Sequence, residues 1–232
     1  MRGTWLNVAT VVVGGTLGTL AGKAVPADLQ SMILSGLGFV SLGLGIKLFL
    51  PSRNVLLIAA AIALGGVLGY LLRLDAGLGQ IADFLRQTFG GSGRFNEAVI
   101  TASILFCVGP MTILGCIQDG IEGKSELLGV KSTLDGFASF FLAATLGPGI
   151  IASALVVLII QGSITLCAHR LTKFAADDEM IAEVSAVGGL MMLGIGLGLL
   201  DLKKVPTANF LPALLLAPAF LGLSRKMTGR TS

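Results

Sequence analysis

The chain has 232 residues, 54% of them hydrophobic and 12% charged, with a mean hydropathy of +0.90 and a formal charge of +3. That balance leaves a water-soluble domain of this length too little polar surface, so lipid must surround most of the side chains. The 16 Lys and Arg residues are scattered, with no basic stripe carrying interleaved aromatics, and nucleic acid is excluded as an expected partner.

A bilayer is crossed either by helices of about 20 apolar residues or by barrel strands that alternate over about 10. Here the apolar runs are continuous, which makes the fold class all-α: a polytopic transmembrane helical bundle of about eight spans, one transmembrane domain over residues 1–232. The first run, Trp5 to Ala21, contains Asn7 and Thr10 and lacks a small-residue cleavage site after a compact apolar core, so it is a mature span rather than a secretion signal. Asn7, Thr10, Gly14 and Gly18 share roughly one stripe of that helix, a polar line that must face protein or water. Met32 to Leu50 and Val55 to Leu72 complete the first three spans, residues 1–72.

Residues 73–96 form an interfacial linker. Within it Leu74 to Phe89 places Leu78, Ile81, Leu85 and Phe89 on one helical face, with Asp75, Asp83 and Arg86 elsewhere, as a helix lying flat on the membrane would. Residues 97–147 hold spans four and five. Ala98 to Ile117 contains Phe106 to Met111, FCVGPM, where Gly109 and Pro110 interrupt or bend the helix, and an interruption frees carbonyls for a bound cation or donor.

The densest polar stretch, Gln118 to Gly136, carries Asp119, Glu122, Lys124, Glu126, Lys131 and Asp135. Asp135 follows Lys131 by four positions, near the start of the short fifth span, Ser132 to Gly147. A carboxylate there is either a functional group within the membrane or a helix cap paired with Lys131. Gly147-Pro148-Gly149 joins this span to the next, so residues 132–168 either cross twice or form a re-entrant hairpin.

Residues 148–232 hold the last three spans: Ile150 to Ala168, Val184 to Leu202 and Phe210 to Leu223. Gln161 lies deep in the sixth span. Asn209 opens the eighth, which is only about 14 residues long and contains Pro212 and Pro218. Cys107, Cys116 and Cys167 fall in apolar runs and read as small core residues, not as a disulfide framework or a metal site. His169, the single histidine, sits at a span end beside Arg170 and cannot form a metal site alone. No cofactor motif is present, and neither a P-loop nor an H-E-x-x-H nor a G-x-S-x-G, so no enzyme is expected.

Under eight spans, ten of the 16 Lys and Arg fall on the side of both termini, which the positive-inside tendency places in the cytoplasm. Residues 35–69 and 185–222 share an order of features: a Ser, a Gly-rich span, a basic loop with Pro-x-x-Asn (Pro51 to Asn54; Pro206 to Asn209), then another apolar span. With five spans between their starts, the last three spans are a candidate inverted repeat of the first three. Gly14, Gly18 and Gly22, Gly65 and Gly69, and Gly194 and Gly198 stand four apart, the spacing that lets helix backbones approach in lipid.

The stretch from Ile104 to Ile150, with its FCVG, QDG, KS and DG motifs, resembles the bacterial membrane family catalogued as domain of unknown function 554. IIQGSITLCA with Gln161-Gly162-Ser163, AVGGLMMLGIGLGLL, the early GTWLNVATVVVGGTLGTLAGK and the late NFLPALLLAP are similar too, so the resemblance covers nearly the whole chain. It implies a polytopic cytoplasmic-membrane protein of prokaryotic origin and supplies no catalytic or binding residues.

Together these features point to a transporter or channel for a small solute or ion, gradient-driven or passive. Its path would be lined by Asn7, Gly109, Pro110, Asp119, Lys131, Ser132, Asp135, Gln161 and Asn209. The alternative is a non-transporting membrane scaffold or regulator that recruits a partner through loops 118–131 and 169–183. The expected partners are the bilayer, the solute and further copies of the chain in a homo-oligomer.

Overall fold

In lipid each backbone N–H and C=O must find its partner within its own segment, and the apolar runs do so as helices. The computed structural model describes residues 1–89, 94–107 and 109–227, apart from the side chains of Leu85, Thr88, Phe89, Pro110, Lys173, Phe174 and Met227. In chain order the helices are α1 (Arg2–Gly22), α2 (Ala27–Phe49), α3 (Val55–Leu71), α4 (Leu74–Phe89), α5 (Phe95–Cys107), α6 (Pro110–Glu122), α7 (Glu126–Leu146), α8 (Gly149–Leu166), α9 (Ala168–Ala175), α10 (Asp178–Leu199) and α11 (Ala213–Met227), with a 3-10 turn at Thr207–Phe210. Local chemistry sets several ends. The Asn54 and Asp177 side chains accept hydrogen bonds from the N–H of Leu57 (3.2 Å) and Met180 (3.0 Å) at the starts of α3 and α10. Gly123 (φ 68°) ends α6 and Gly147 (φ 88°) ends α7 in backbone conformations that favour glycine.

Six segments are long and apolar enough to cross: α1, α2, α7, α8, α10 and 207–226. Two bent pairs, α3 with α4 (57°) and α5 with α6 (62°), bring the candidates to eight. Packing directions decide between them. Gly14, Gly18 and Gly22 of α1 lie against the backbone of Gly136, Phe140 and Ala144, so α1 and α7 run parallel. On its other side α1 meets α8 antiparallel, with the Thr4 and Thr165 hydroxyls 3.3 Å apart and Gly15 against Ile151. Likewise α2 and α10 are antiparallel, Gly38 against Gly196 and Gly45 against Gly189, with the Ser41 hydroxyl donating to the Met192 carbonyl (2.9 Å). In α3, Gly65 meets Ala213 and Gly69 meets Asn209.

After three crossings the chain at Leu71 stands on the face opposite Arg2, yet α7 begins on the face of Arg2. The bent α5–α6 pair, counted as one broken span, accounts for that return. The candidate spans number six to eight, and α4 bends away from α3 by 57°. Its protein-facing position is Ala82, while Ile81 and Phe84 are exposed. Of the expected apolar face, Leu78 is half-buried, Ile81 points outward, and the Leu85 and Phe89 side chains lie outside the described residues.

Two elements differ from expectation. The fifth span starts six residues earlier, at Glu126, so α7 is a full 21-residue helix, and Gly147-Pro148-Gly149 is a turn between two crossing helices rather than a re-entrant hairpin. The charged start of the run joins the helix because Lys131 and Asp135, four apart, neutralise each other on one face. The last helix begins after Pro212, tolerates Pro218, and runs to Met227, with Arg225 and Lys226 in its final turn.

The spans sort into two halves. α1, α7, α8 and the broken α5–α6 pack closely together, as do α2, α3, α10 and α11, while the halves meet sparsely along α2 with α7 and α10 with α5. At the α10 start, Arg225 of α11 donates to Asp177 through two nitrogens and to Glu179 (2.5 Å). The Arg225 hydrogen bond holds the Asp177 carboxyl below its ordinary range. A depressed carboxyl contributes stability above its unfolded pKa and loses it as pH falls through the folded one. Asp177→Ala is expected to cost at least about 1 kcal/mol at neutral pH through the lost cap. Melting temperatures followed from neutral pH to about pH 2 should fall less steeply for the variant than for the wild type.

Candidate functional site

The glycine contacts that draw α1 against α7 also bring Asn7 beside the middle of α7. There the Asn7 amide donates to Asp135 Oδ2 (2.9 Å), and Lys131 Nζ donates to the same oxygen (2.5 Å). Lys131 and Asp135 are each 7% exposed, and the Lys131 ammonium lies 6.0 Å from the centre of the Phe106 ring. Asp135 Oδ1 has no hydrogen-bond partner among the described residues. This is a charge pair carried into the bundle with acceptor capacity left over.

That pair opens onto a cavity of roughly 600 Å³ between the two halves. Leu37, Val40, Leu44 and Lys47 of α2 form one wall, Leu134, Ala138 and Leu142 of α7 another, and Met192, Ile195 and Leu199 of α10 the third. The span break closes one end: Gly109 (φ 147°), Met111 and Thr112 line the cavity, so the N-terminal turn of α6 borders it. The Thr112 hydroxyl donates to the Phe106 carbonyl (3.2 Å), one of the acceptors that the break leaves without a helical partner.

A second cavity of roughly 510 Å³ lies at the other end of the same seam, lined by Gln30, Ser31, Arg94, Thr145, Asp201 and Lys204 among others. Leu199 borders both cavities. Leu34, Leu142 and Leu146, all under 8% exposed, form the apolar zone around it.

Of the expected path residues, Asn7, Gly109, Lys131 and Asp135 thus come together. Pro110 begins α6 at the same break. Ser132 donates to its own helix at the Leu128 carbonyl (2.6 Å) and is buried. Asp119, on α6, accepts from the Gly3 N–H (3.1 Å) toward the Arg2 end of the bundle, with Oδ1 unpartnered. Gln161 is fully buried with neither amide atom partnered. The contacts at Thr4–Thr165 and Gly15–Ile151 put Gln161 at the level of Asn7, whose Oδ1 is also unpartnered. Asn209 stands apart: its side-chain Oδ1 accepts from the Asp75 N–H (3.0 Å) and ties the 3-10 turn to α4. Cys107 and Cys116 are buried and Cys167 is exposed, and the described residues contain no cluster of metal-ligating side chains.

Sequence reasoning missed Lys47, which lines the cavity from α2, and Glu183. The latter is fully buried near the start of α10, and its carboxylate accepts from the Ser52 hydroxyl (2.7 Å) and from the N–H groups of Arg53 (2.9 Å) and Asn54 (3.1 Å). It anchors the α2–α3 loop. Its only sequence signal is an acid at the edge of an apolar run, four positions after Glu179.

The family described as "Protein of unknown function (DUF554)" matches residues 2–221. The chain belongs to the DUF554 family. Two relatives span nearly all of it. "Uncharacterized membrane protein YdfK" of Bacillus subtilis (strain 168) is 33% identical over 225 residues, covering 95% of this chain and 96% of the relative. "Uncharacterized protein YqgA" of Escherichia coli (strain K12) is 31% identical over 221 residues, covering 93% and 94%. No solved structure matches the chain. The DUF554 match takes in both halves of the bundle and every candidate residue from Asn7 to Asn209, and the chain is a membrane protein of apolar helices.

Proposed function

We propose that this protein moves a small solute across the prokaryotic cytoplasmic membrane, driven by a gradient or passively, through the seam between its two halves. The observation that carries this reading is the pair of cavities at opposite ends of one sparsely packed seam, separated at Leu199, with the Lys131–Asp135 pair in one of them. Two bodies that pack densely within themselves and sparsely against each other are what alternating exposure of a central site requires. The antiparallel contacts of α1 with α8, α2 with α10 and α3 with α11 support an inverted repeat of the first three spans by the last three. A scaffold would need neither cavity. The excess of Lys and Arg on the face of Arg2 supports a cytoplasmic orientation of that face.

The test is a flux screen in proteoliposomes across solute classes, followed by Asp135→Asn on whichever solute moves. Flux is expected to fall at least about tenfold, the scale of one charge-assisted hydrogen bond. Undiminished flux in that variant would remove Asp135 from the mechanism.

A further inference from the structure

We infer that the solute taken by the larger cavity is a monocarboxylate with an apolar body. Its movement rests on the transport reading above; its binding does not.

Charge comes first. The charged side chains of the lining are Lys47, Lys131 and Asp135, a net of one positive charge facing a largely apolar space. A ligand that brings one negative charge complements that surplus. Lys131 spends only part of its donor capacity on Asp135, and the positive end of the α6 dipole borders the same space. A carboxylate there meets the Lys131 ammonium as donor and the favourable end of that dipole. Asp135, with Oδ1 unpartnered, disfavours a second negative charge, which argues against dicarboxylates and phosphate.

The remaining walls decide the rest of the molecule. Ser41 and Thr112 are the neutral hydroxyls of the lining, and both already donate to backbone carbonyls, of Met192 and Phe106. Nothing there suits the many hydroxyls of a sugar. Leu37, Leu105, Ala138, Leu142 and Ile195 instead offer an apolar sleeve leading away from the pair. Val40 and Leu134, 58% and 57% exposed, flank its mouth, so the sleeve opens beside lipid tails. A volume of roughly 600 Å³ suits a body of medium size, larger than acetate.

The experiment uses the full chain in lipid nanodiscs, with octanoate, octanol, octylammonium and acetate as probes. Binding is read by calorimetry after subtraction of empty nanodiscs. Octanoate should bind at least about tenfold more tightly than octanol or octylammonium, and acetate far more weakly. Lys47→Gln, at an exposed position that folding does not need, should weaken octanoate severalfold and leave octanol unchanged. Ala138→Phe should fill the sleeve and abolish octanoate binding. Equal binding of octanol, tighter binding of octylammonium, or octanoate binding indifferent to Ala138→Phe would overturn the assignment. Flux in proteoliposomes separates the two readings. Octanoate that binds but does not move defeats transport and leaves the ligand class standing, whereas flux of another solute without octanoate binding does the reverse.

Discussion

Lys131→Met is expected to destabilise the protein by about 3–5 kcal/mol, because it strands the Asp135 carboxylate inside the bundle with only the Asn7 amide to satisfy it. Burial is what makes this effect large. An exposed pair at the same spacing would contribute a few tenths of a kcal/mol, but these two side chains are 8% and 9% exposed. Removing both charges in Lys131→Met/Asp135→Leu should restore stability to near the wild-type level, since well-packed apolar groups replace a buried pair at little cost. The double variant should nevertheless carry no flux. Melting temperatures in detergent across the wild type, the single variants and the double variant would check this. A Lys131→Met protein as stable as the wild type would show that the pair is wet rather than buried, and a transporting double variant would make it structural only.

Gly18→Leu is expected to be more damaging still. A Cβ at Gly18 would run into the carbonyl and Cα of Phe140, and backbone cannot move aside as a side-chain tip can. The same holds one turn away on either side, at Gly14 against Gly136 and Gly22 against Ala144. Separating α1 from α7 forfeits the close dispersion contacts of the whole stripe, and with them the placement of Asn7 against Asp135. The expected result is loss of the monodisperse folded species, seen by size-exclusion chromatography in detergent. Gly36→Leu, on α2 where an added Cβ meets nothing within 4 Å, should be nearly silent and is the control.

Much of the fold was legible because lipid imposes a simple rule: apolar runs of sufficient length become helices. The apolar runs, the helix at 74–89 and the close-packing glycines of α1 follow from composition and spacing. The start of α7 was not legible, because the neutralisation that lets Glu126 to Asp135 enter a helix is a relation between two side chains rather than a property of either. The site was legible in part. Asn7 announced itself as a polar group in an apolar run, Lys131 and Asp135 as opposite charges four apart near the start of a span, and Gly109 as a break. Asn209 reads as another polar group at a span start, but its Oδ1 accepts from the Asp75 N–H away from the Lys131–Asp135 pair. Lys47 and Glu183 were passed over because an ionisable residue at a span end looks the same whether it faces solvent, a cavity or a buried loop.

The amino-acid sequence by itself determined the medium, the helical class, the approximate span count and the family, since these depend on local hydropathy and motif order. Only the tertiary structure decided which helices run together, that the chain divides into two loosely joined halves, and that Lys131 and Asp135 face a cavity. Those outcomes depend on contacts between residues more than a hundred positions apart, such as Asn7 with Asp135 and Gly18 with Phe140, and no local pattern encodes which glycine stripe meets which backbone.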